Sequence, residues 1–208
     1  AVATLQEMVD LRPDLQSYSR VSYLRELYGD IDGALVAMQS AVTSTPPGTE
    51  DWRWTLTHLG HLNFNRGDLT TAAAIYQEVL AQQADYPYAQ AGMARVTAAQ
   101  GDPSAAIVQY KAIVERLPLP EFVIALGELY AATGDLTAAQ QQYSLVAVMQ
   151  QLNAASGMNV DLEMASFNAS HGTDTAQIVA EARVAYSERP TIYGADALAW
   201  SLYQAGQY

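Results

Sequence analysis

The sequence predicts an all-α chain in which short antiparallel helix pairs repeat in tandem. Three observations carry this expectation. First, a Gly-Asp step recurs as Gly29-Asp30, Gly67-Asp68, Gly101-Asp102 and Gly134-Asp135, and Gly172 and Gly206 continue the series, at intervals of 38, 34, 33, 38 and 34 residues. Self-similarity near this period marks a stacked array of supersecondary units. Second, seven residues before each glycine stands a small residue (Ser22, Gly60, Ala94, Gly127, Ala165, Ala199), preceded by an apolar one (Val21, Leu59, Met93, Leu126, Met164, Leu198). A small residue lets a second helix approach closely, and its apolar neighbour fills the seam. Third, alanine follows the first four glycines by five residues (Ala34, Ala72, Ala106, Ala139). Four further on comes a large side chain (Met38, Tyr76, Tyr110, Tyr143), and three beyond that Ala41, Val79, Ile113 or Val146. Steps of four and three fall on one helical stripe.

The Gly-Asp step is the turn inside each pair. Glycine takes the left-handed conformation that ends a helix, and aspartate accepts from the free N–H groups of the next one. Pro103 adds a first-position proline whose missing N–H costs nothing. Pro13, Pro118 and Pro190 each stand 16 residues before a glycine of the series and close a unit.

Taken in order, residues 1–13 read as the second helix of a truncated unit, with Ala1, Leu5 and Met8 on the core stripe. Unit one spans 14–45, and a loop through Pro46-Pro47-Gly48 accounts for the first long interval. Units two and three span 51–85 and 86–117. Unit four spans 119–156, and its second helix, Leu136 to about Ala155, is longer by about one turn. Unit five, 158–190, is the least regular. Asp161 stands where units two and four have Leu56 and Val123, and Gly172-Thr173-Asp174 carries one extra residue. A shift of one restores the stripe at Ile178, Ala182 and Ala185. Residues 191–208 read as the first helix of a second truncated unit. One domain over 1–208 is expected, with apolar ends able to pair between molecules as a homo-oligomer.

The pattern resembles the tetratricopeptide repeat, most closely at Leu59-Gly60, at Gly67-Asp68-Leu69-Thr70-Thr71-Ala72, and from Leu126-Gly127 through Tyr130 to Gly134-Asp135-Leu136. The resemblance covers essentially the whole chain in five or six units. It implies a right-handed superhelical solenoid of antiparallel helix pairs that binds a peptide or protein segment in a concave groove.

Composition narrows the function classes. Half of the 208 residues are hydrophobic, enough for a continuous core. No stretch approaches the roughly 20 apolar residues that span a bilayer, and the first residues are too short and acidic for a signal peptide. Cysteine is absent, which excludes disulfides and thiolate metal sites and suits cytoplasm and export alike. The net charge of −12, with ten scattered Lys and Arg, argues against nucleic acid and anionic membrane as partners. Between Leu117 and Ala182 there is no Lys or Arg, against seven acids. That stretch reads either as a solvated acidic surface or as a dock for a basic segment.

In stacked hairpins the first helices line the groove, and register places there the residues 13, 10, 6 and 3 before each glycine. The groove candidates are Tyr23, Trp54, His61, Phe64, Tyr88, Arg95, Glu121 and Glu128. In the last first helix the same positions hold Tyr193, Asp196, Trp200 and Tyr203. Tyr23, Trp54, Phe64 and Tyr88 form an aromatic cluster of the kind that supplies binding hot spots, or else pack between neighbouring helices. Trp200 and Tyr203 carry the second reading as core residues. Relatives that clamp a terminal carboxylate carry Lys, Arg and Asn at groove positions. Here Arg95 is the lone groove cation, so a ligand of apolar and basic character is expected, such as an amphipathic helix.

Catalytic and metal chemistry are not expected. His58 and His61 lie on one helix without the third ligand zinc needs. His171 reads as a surface residue near a helix C-terminus. There is no nucleophile elbow, no phosphate loop, and no pair of acids with divergent environments. The expected function is a cofactor-free protein-interaction scaffold. Two alternatives stay open: a self-assembly module, and a non-catalytic regulatory arm of a larger enzyme.

Overall fold

The computed structural model describes residues 2–156, 161–172, 174–188 and 190–207. Every regular element among them is an α-helix: α1 (Val2–Leu11), α2 (Leu15–Leu27), α3 (Ile31–Thr43), α4 (Glu50–Asn65), α5 (Leu69–Gln82), α6 (Pro87–Ala99), α7 (Pro103–Arg116), α8 (Pro120–Ala132), α9 (Leu136–Ala155), α10 (Asp161–His171), α11 (Thr175–Glu188) and α12 (Ile192–Gln204). None of these is long and apolar enough to cross a membrane. The chain divides into two compact units, Ala1–Leu117 and Pro118–Tyr208.

The turns inside the pairs follow from the Gly-Asp chemistry. Gly29, Gly67, Gly101 and Gly134 all take positive φ, between 78° and 96°, where a side chain is disfavoured. At the second turn Gly67 N donates to Phe64 O and Asp68 N donates to Asn63 O at 3.0 Å, the paired bonds that satisfy a helix end. Asp68 Oδ1 then accepts from Thr71 N at 3.0 Å and starts α5. Asp30, Asp102 and Asp135 cap α3, α7 and α9 in the same way. The fifth turn differs. Gly172 does not take positive φ, and its N–H donates to Asn168 O at 2.7 Å. The cap moves to Asp174, which accepts from Gln177 N, so the added residue is absorbed between helix end and cap.

In unit 1 the pairs α2–α3, α4–α5 and α6–α7 pack internally, α3 packs on α4 and α5 on α6, and the first helices touch in succession, α2 on α4 and α4 on α6. The core runs along the seam. Ala34, Met38, Ala72, Tyr76, Val79, Ala106, Tyr110 and Ile113 are all buried, as their stripe requires. The small-residue positions do what close approach demands. Ser22 Oγ donates to Ala34 O at 2.8 Å across the α2–α3 seam. Gly60 leaves room for the Tyr76 ring, whose other side lies against Gly92.

In unit 2, α8 packs on α9, and α10, α11 and α12 pack on one another. Gly127 receives the Tyr143 ring as Gly60 receives Tyr76. The shifted stripe of α11 buries Ile178 and Ala182. The extended α9 buries Val146 but leaves Leu145, Val148 and Leu152 exposed. Ala199 is exposed, unlike its register mates Gly60 and Ala94. The side chains of Asp161 and Ala165 lie outside the described residues.

Candidate functional site

Unit 1 brings its predicted groove residues onto three successive first helices. Trp54, His61 and Phe64 stand on α4, Tyr88 and Arg95 on α6, and Tyr23 on α2. The positions spaced 3 and 4 apart share a helix face. Their exposures separate them. Tyr23 is 52% exposed and Trp54 and Tyr88 are each 39% exposed, whereas Phe64 and His61 are half-buried. Phe64 packs against the core cluster of unit 1, so one of the four cluster aromatics is partly structural.

A run of rings leads from the exposed rim into the core. Trp54 contacts His58 with ring centroids 4.1 Å apart, and His58 meets His61 edge-on at 5.5 Å. His61 contacts Tyr76 at 5.6 Å, and its Nδ1 lies 2.7 Å from the Tyr76 hydroxyl, sharing one proton. Tyr76 is fully buried. Burial holds His61 far below its ordinary value, to a pKa of about 3, with His58 and Arg95 adding repulsion. Burial also lowers His58 and raises the Tyr76 phenol. Both histidines are therefore neutral at physiological pH, and the run is an uncharged aromatic wall.

Beside it, the Arg95 guanidinium lies over the Phe64 ring, 4.2 Å from the centroid. A stacked guanidinium keeps its edge N–H groups free to donate. Tyr88 contacts Tyr86, whose hydroxyl donates to Glu50 Oε1 at 3.1 Å. The Tyr76 tie to His61 is absent from the sequence reading. Its signal is present there, since His61 stands six residues before a glycine of the series and Tyr76 nine after it, on the two helices of one hairpin.

In unit 2, Glu121 and Glu128 are both exposed on α8. Glu128 Oε1 lies 3.9 Å from His171 Nε2. His171 is not the surface residue expected. It stacks on Tyr143 at 4.0 Å, sits 4.9 Å from Phe167, and its Nε2 is buried without a hydrogen bond. Burial and the Glu128 charge both raise the Tyr143 phenol, burial more. Trp200 and Tyr203 are exposed rather than core. Among the described residues no three His, Asp or Glu side chains are grouped to hold a metal ion.

Residues 64–122 match the tetratricopeptide-repeat family model. That segment covers α5 to α7 and their flanks, where two of the Gly-Asp turns and two of the tyrosine seams lie. Over that segment the chain carries the tetratricopeptide-repeat pattern, and the helix pairs outside it repeat the same architecture. No curated protein matches the chain. Among solved structures, the chain is similar to MamA, with 16% identity over 73% of this chain and 87% of that one and a TM-score of 0.53. It is similar to a thermophilic tetratricopeptide-repeat protein of Thermus thermophilus, with 20% identity over 68% and 77% and a TM-score of 0.59. A chain of the APC/C hetero-tetramer Cut9–Hcn1 shares 16% identity over 95% of this chain but only 38% of its own length, with a TM-score of 0.62. Identities this low speak to the fold. Tetratricopeptide arrays in general are non-catalytic scaffolds for protein–protein interaction.

Proposed function

We propose that the first-helix face of unit 1 holds a segment of another polypeptide and that the protein makes and breaks no covalent bond. The observation that carries this reading is the exposure of Tyr23, Trp54 and Tyr88 at groove register on three successive first helices, while other aromatics fill the core. Exposed aromatic rings on rigid helices are costly in water and bury large area at small entropic cost when covered. The neutral wall from Trp54 to Tyr76 supplies apolar contact. Arg95, seated over Phe64, supplies the one cationic hydrogen-bond donor at groove register. Glu121 and Glu128 offer carboxylates to basic side chains on their own unit, in keeping with a ligand of apolar and basic character.

The test uses Trp54→Ala with Tyr88→Ala, since Phe64 packs on the core and its loss would confound folding with binding. Helicity and melting are expected to stay within about 0.5 kcal/mol of wild type, as for exposed substitutions. Partners crosslinked to wild type in native lysate are expected to fall at least about tenfold, the loss two hot-spot rings produce. Equal recovery by the folded double variant overturns the reading. So does a concentration-dependent rise in mass with no partner captured, which would favour self-assembly.

A further inference from the structure

We propose that α12 carries a separate recognition site in unit 2, shaped to receive an arginine side chain of a protein partner. It stands independently of the face proposed on unit 1. Tyr193, Asp196, Trp200 and Tyr203 follow one another at steps of three, four and three, which puts them on one stripe of α12. All four are exposed, the three aromatics at 41%, 42% and 55%. Trp200 and Tyr203 lie nearly parallel, 17° between ring planes, with centroids 5.3 Å apart. At that spacing parallel rings are slid past one another rather than eclipsed. Trp200 Nε1 donates to Ser170 Oγ on α10 at 3.0 Å. The indole is thus tied across to a neighbouring helix and its orientation is fixed before any ligand arrives.

The chemistry of the stripe selects the ligand. Aromatic faces attract cations, and a planar guanidinium stacks on them best. Asp196 sits between Tyr193 and Trp200 and forms no ion pair among the described residues. Residues 118–208 hold nine acids against two arginines, so the surrounding field favours a positive group. An apolar side chain covering the stripe would bury the Asp196 carboxylate unpaired, which is costly. An acidic side chain or a phosphate would be repelled. An arginine satisfies both the rings and the carboxylate.

The test incorporates 5-fluorotryptophan into the full chain, which gives three fluorine signals, one each for Trp52, Trp54 and Trp200. Trp200→Phe assigns the third. The probe is acetyl-arginine methylamide. It is expected to move the Trp200 signal saturably, with half-saturation on the order of ten millimolar for one cation–π contact and one exposed ion pair. Asp196→Asn is expected to weaken binding about fivefold. Glu181→Gln, which removes the same charge from an exposed position on α11, is expected to leave it within about twofold. The uncharged isostere acetyl-citrulline methylamide is expected to bind at least about fivefold more weakly. Equal binding of the citrulline probe, or equal weakening by Glu181→Gln and Asp196→Asn, overturns the site. A response of Trp54 with Trp200 unmoved overturns it too, and leaves the reading of unit 1 standing.

Discussion

Replacing Gly60 by alanine is expected to destabilise unit 1, although alanine favours helix. Gly60 lies inside α4, where the exchange alone contributes up to about 1 kcal/mol of stability. The added methyl would overlap Cε1 of the Tyr76 ring and lie 2.9 Å from its Cδ1. The ring has nowhere to retreat. On its far side a Cβ at Gly92 would stand 2.5 Å from Cζ, so the ring already rests on that backbone. Sliding sideways would break the 2.7 Å bond between the hydroxyl and His61. Overpacking costs about 1–3 kcal/mol, and a ring clamped on two sides belongs at the upper end. Subtracting the helix gain leaves a net loss of about 2 kcal/mol.

The matched comparison is Gly127→Ala. Its Cβ would lie 2.6 Å from Cε1 of Tyr143, but that ring is only half-buried and leans on the His171 ring, not on a second glycine backbone. The two effects should nearly cancel there. Urea unfolding followed by tryptophan fluorescence reads unit 1 through Trp52, which is buried in α4. With a slope of about 2 kcal/mol/M, Gly60→Ala should lower the midpoint by about 1 M, and Gly127→Ala should shift it little. A Gly60→Ala protein as stable as wild type would refute the claim that the Tyr76 ring is clamped between two helices.

The remaining predictions concern charge, backbone, and the two proposed sites. His61, held at a pKa of about 3, binds fewer protons when folded than the unfolded chain does below about pH 6.5. The stability of its neutral form is complete above that value and is lost as pH falls toward 3. Fluorescence melts should therefore drop between pH 7 and 4.5, less steeply in His61→Gln, with a residual slope from His58; identical slopes would discard the account. Gly101→Ala, at φ 96°, should cost about 1–2 kcal/mol in the same denaturation assay, and a neutral outcome would show that the turn needs no left-handed residue. Trp54→Ala with Tyr88→Ala should lose captured partners while keeping its fold, and Asp196→Asn should weaken the arginine probe at Trp200.

The repeat is legible in sequence because its determinants are local. A left-handed glycine, a capping aspartate and an alanine at fixed distances act within one turn of chain, and spacing alone reveals them. The fifth turn is only half legible, since its glycine keeps an ordinary φ and the cap is displaced to Asp174. Contact across elements is what spacing hides. Phe64 has the register of a groove ring, but part of it belongs to the core. His171 has the sequence setting of a surface residue, but it stacks on Tyr143 of α9, which no spacing within α10 encodes.

One regularity joins the fold to its use. Position 9 after the glycine holds Tyr76, Tyr110 and Tyr143, a nearly constant residue at the seam. Position 6 before the glycine, which meets it across the hairpin in His61 and Tyr76, holds Tyr23, His61, Arg95, Glu128 and Trp200 in different units. The seam tolerates little change because two helices close on it, as the Gly60 and Gly92 contacts with Tyr76 make plain. The residue at that position varies in character from unit to unit, neutral, cationic, acidic or aromatic, and only in the second unit is it tied by a hydrogen bond to the tyrosine beneath among the bonds described. Specificity in this array is therefore expected to be written at that single position, and the two proposed sites use it: His61 and Arg95 on unit 1, Trp200 on unit 2. Exchanging Trp200 for glutamate should then abolish the arginine-dependent fluorine shift of the probe's site, reported instead by a fluorotyrosine at Tyr203, while leaving the unfolding free energy within about 0.5 kcal/mol of wild type. A large fall in stability would mean that this position belongs to the seam after all.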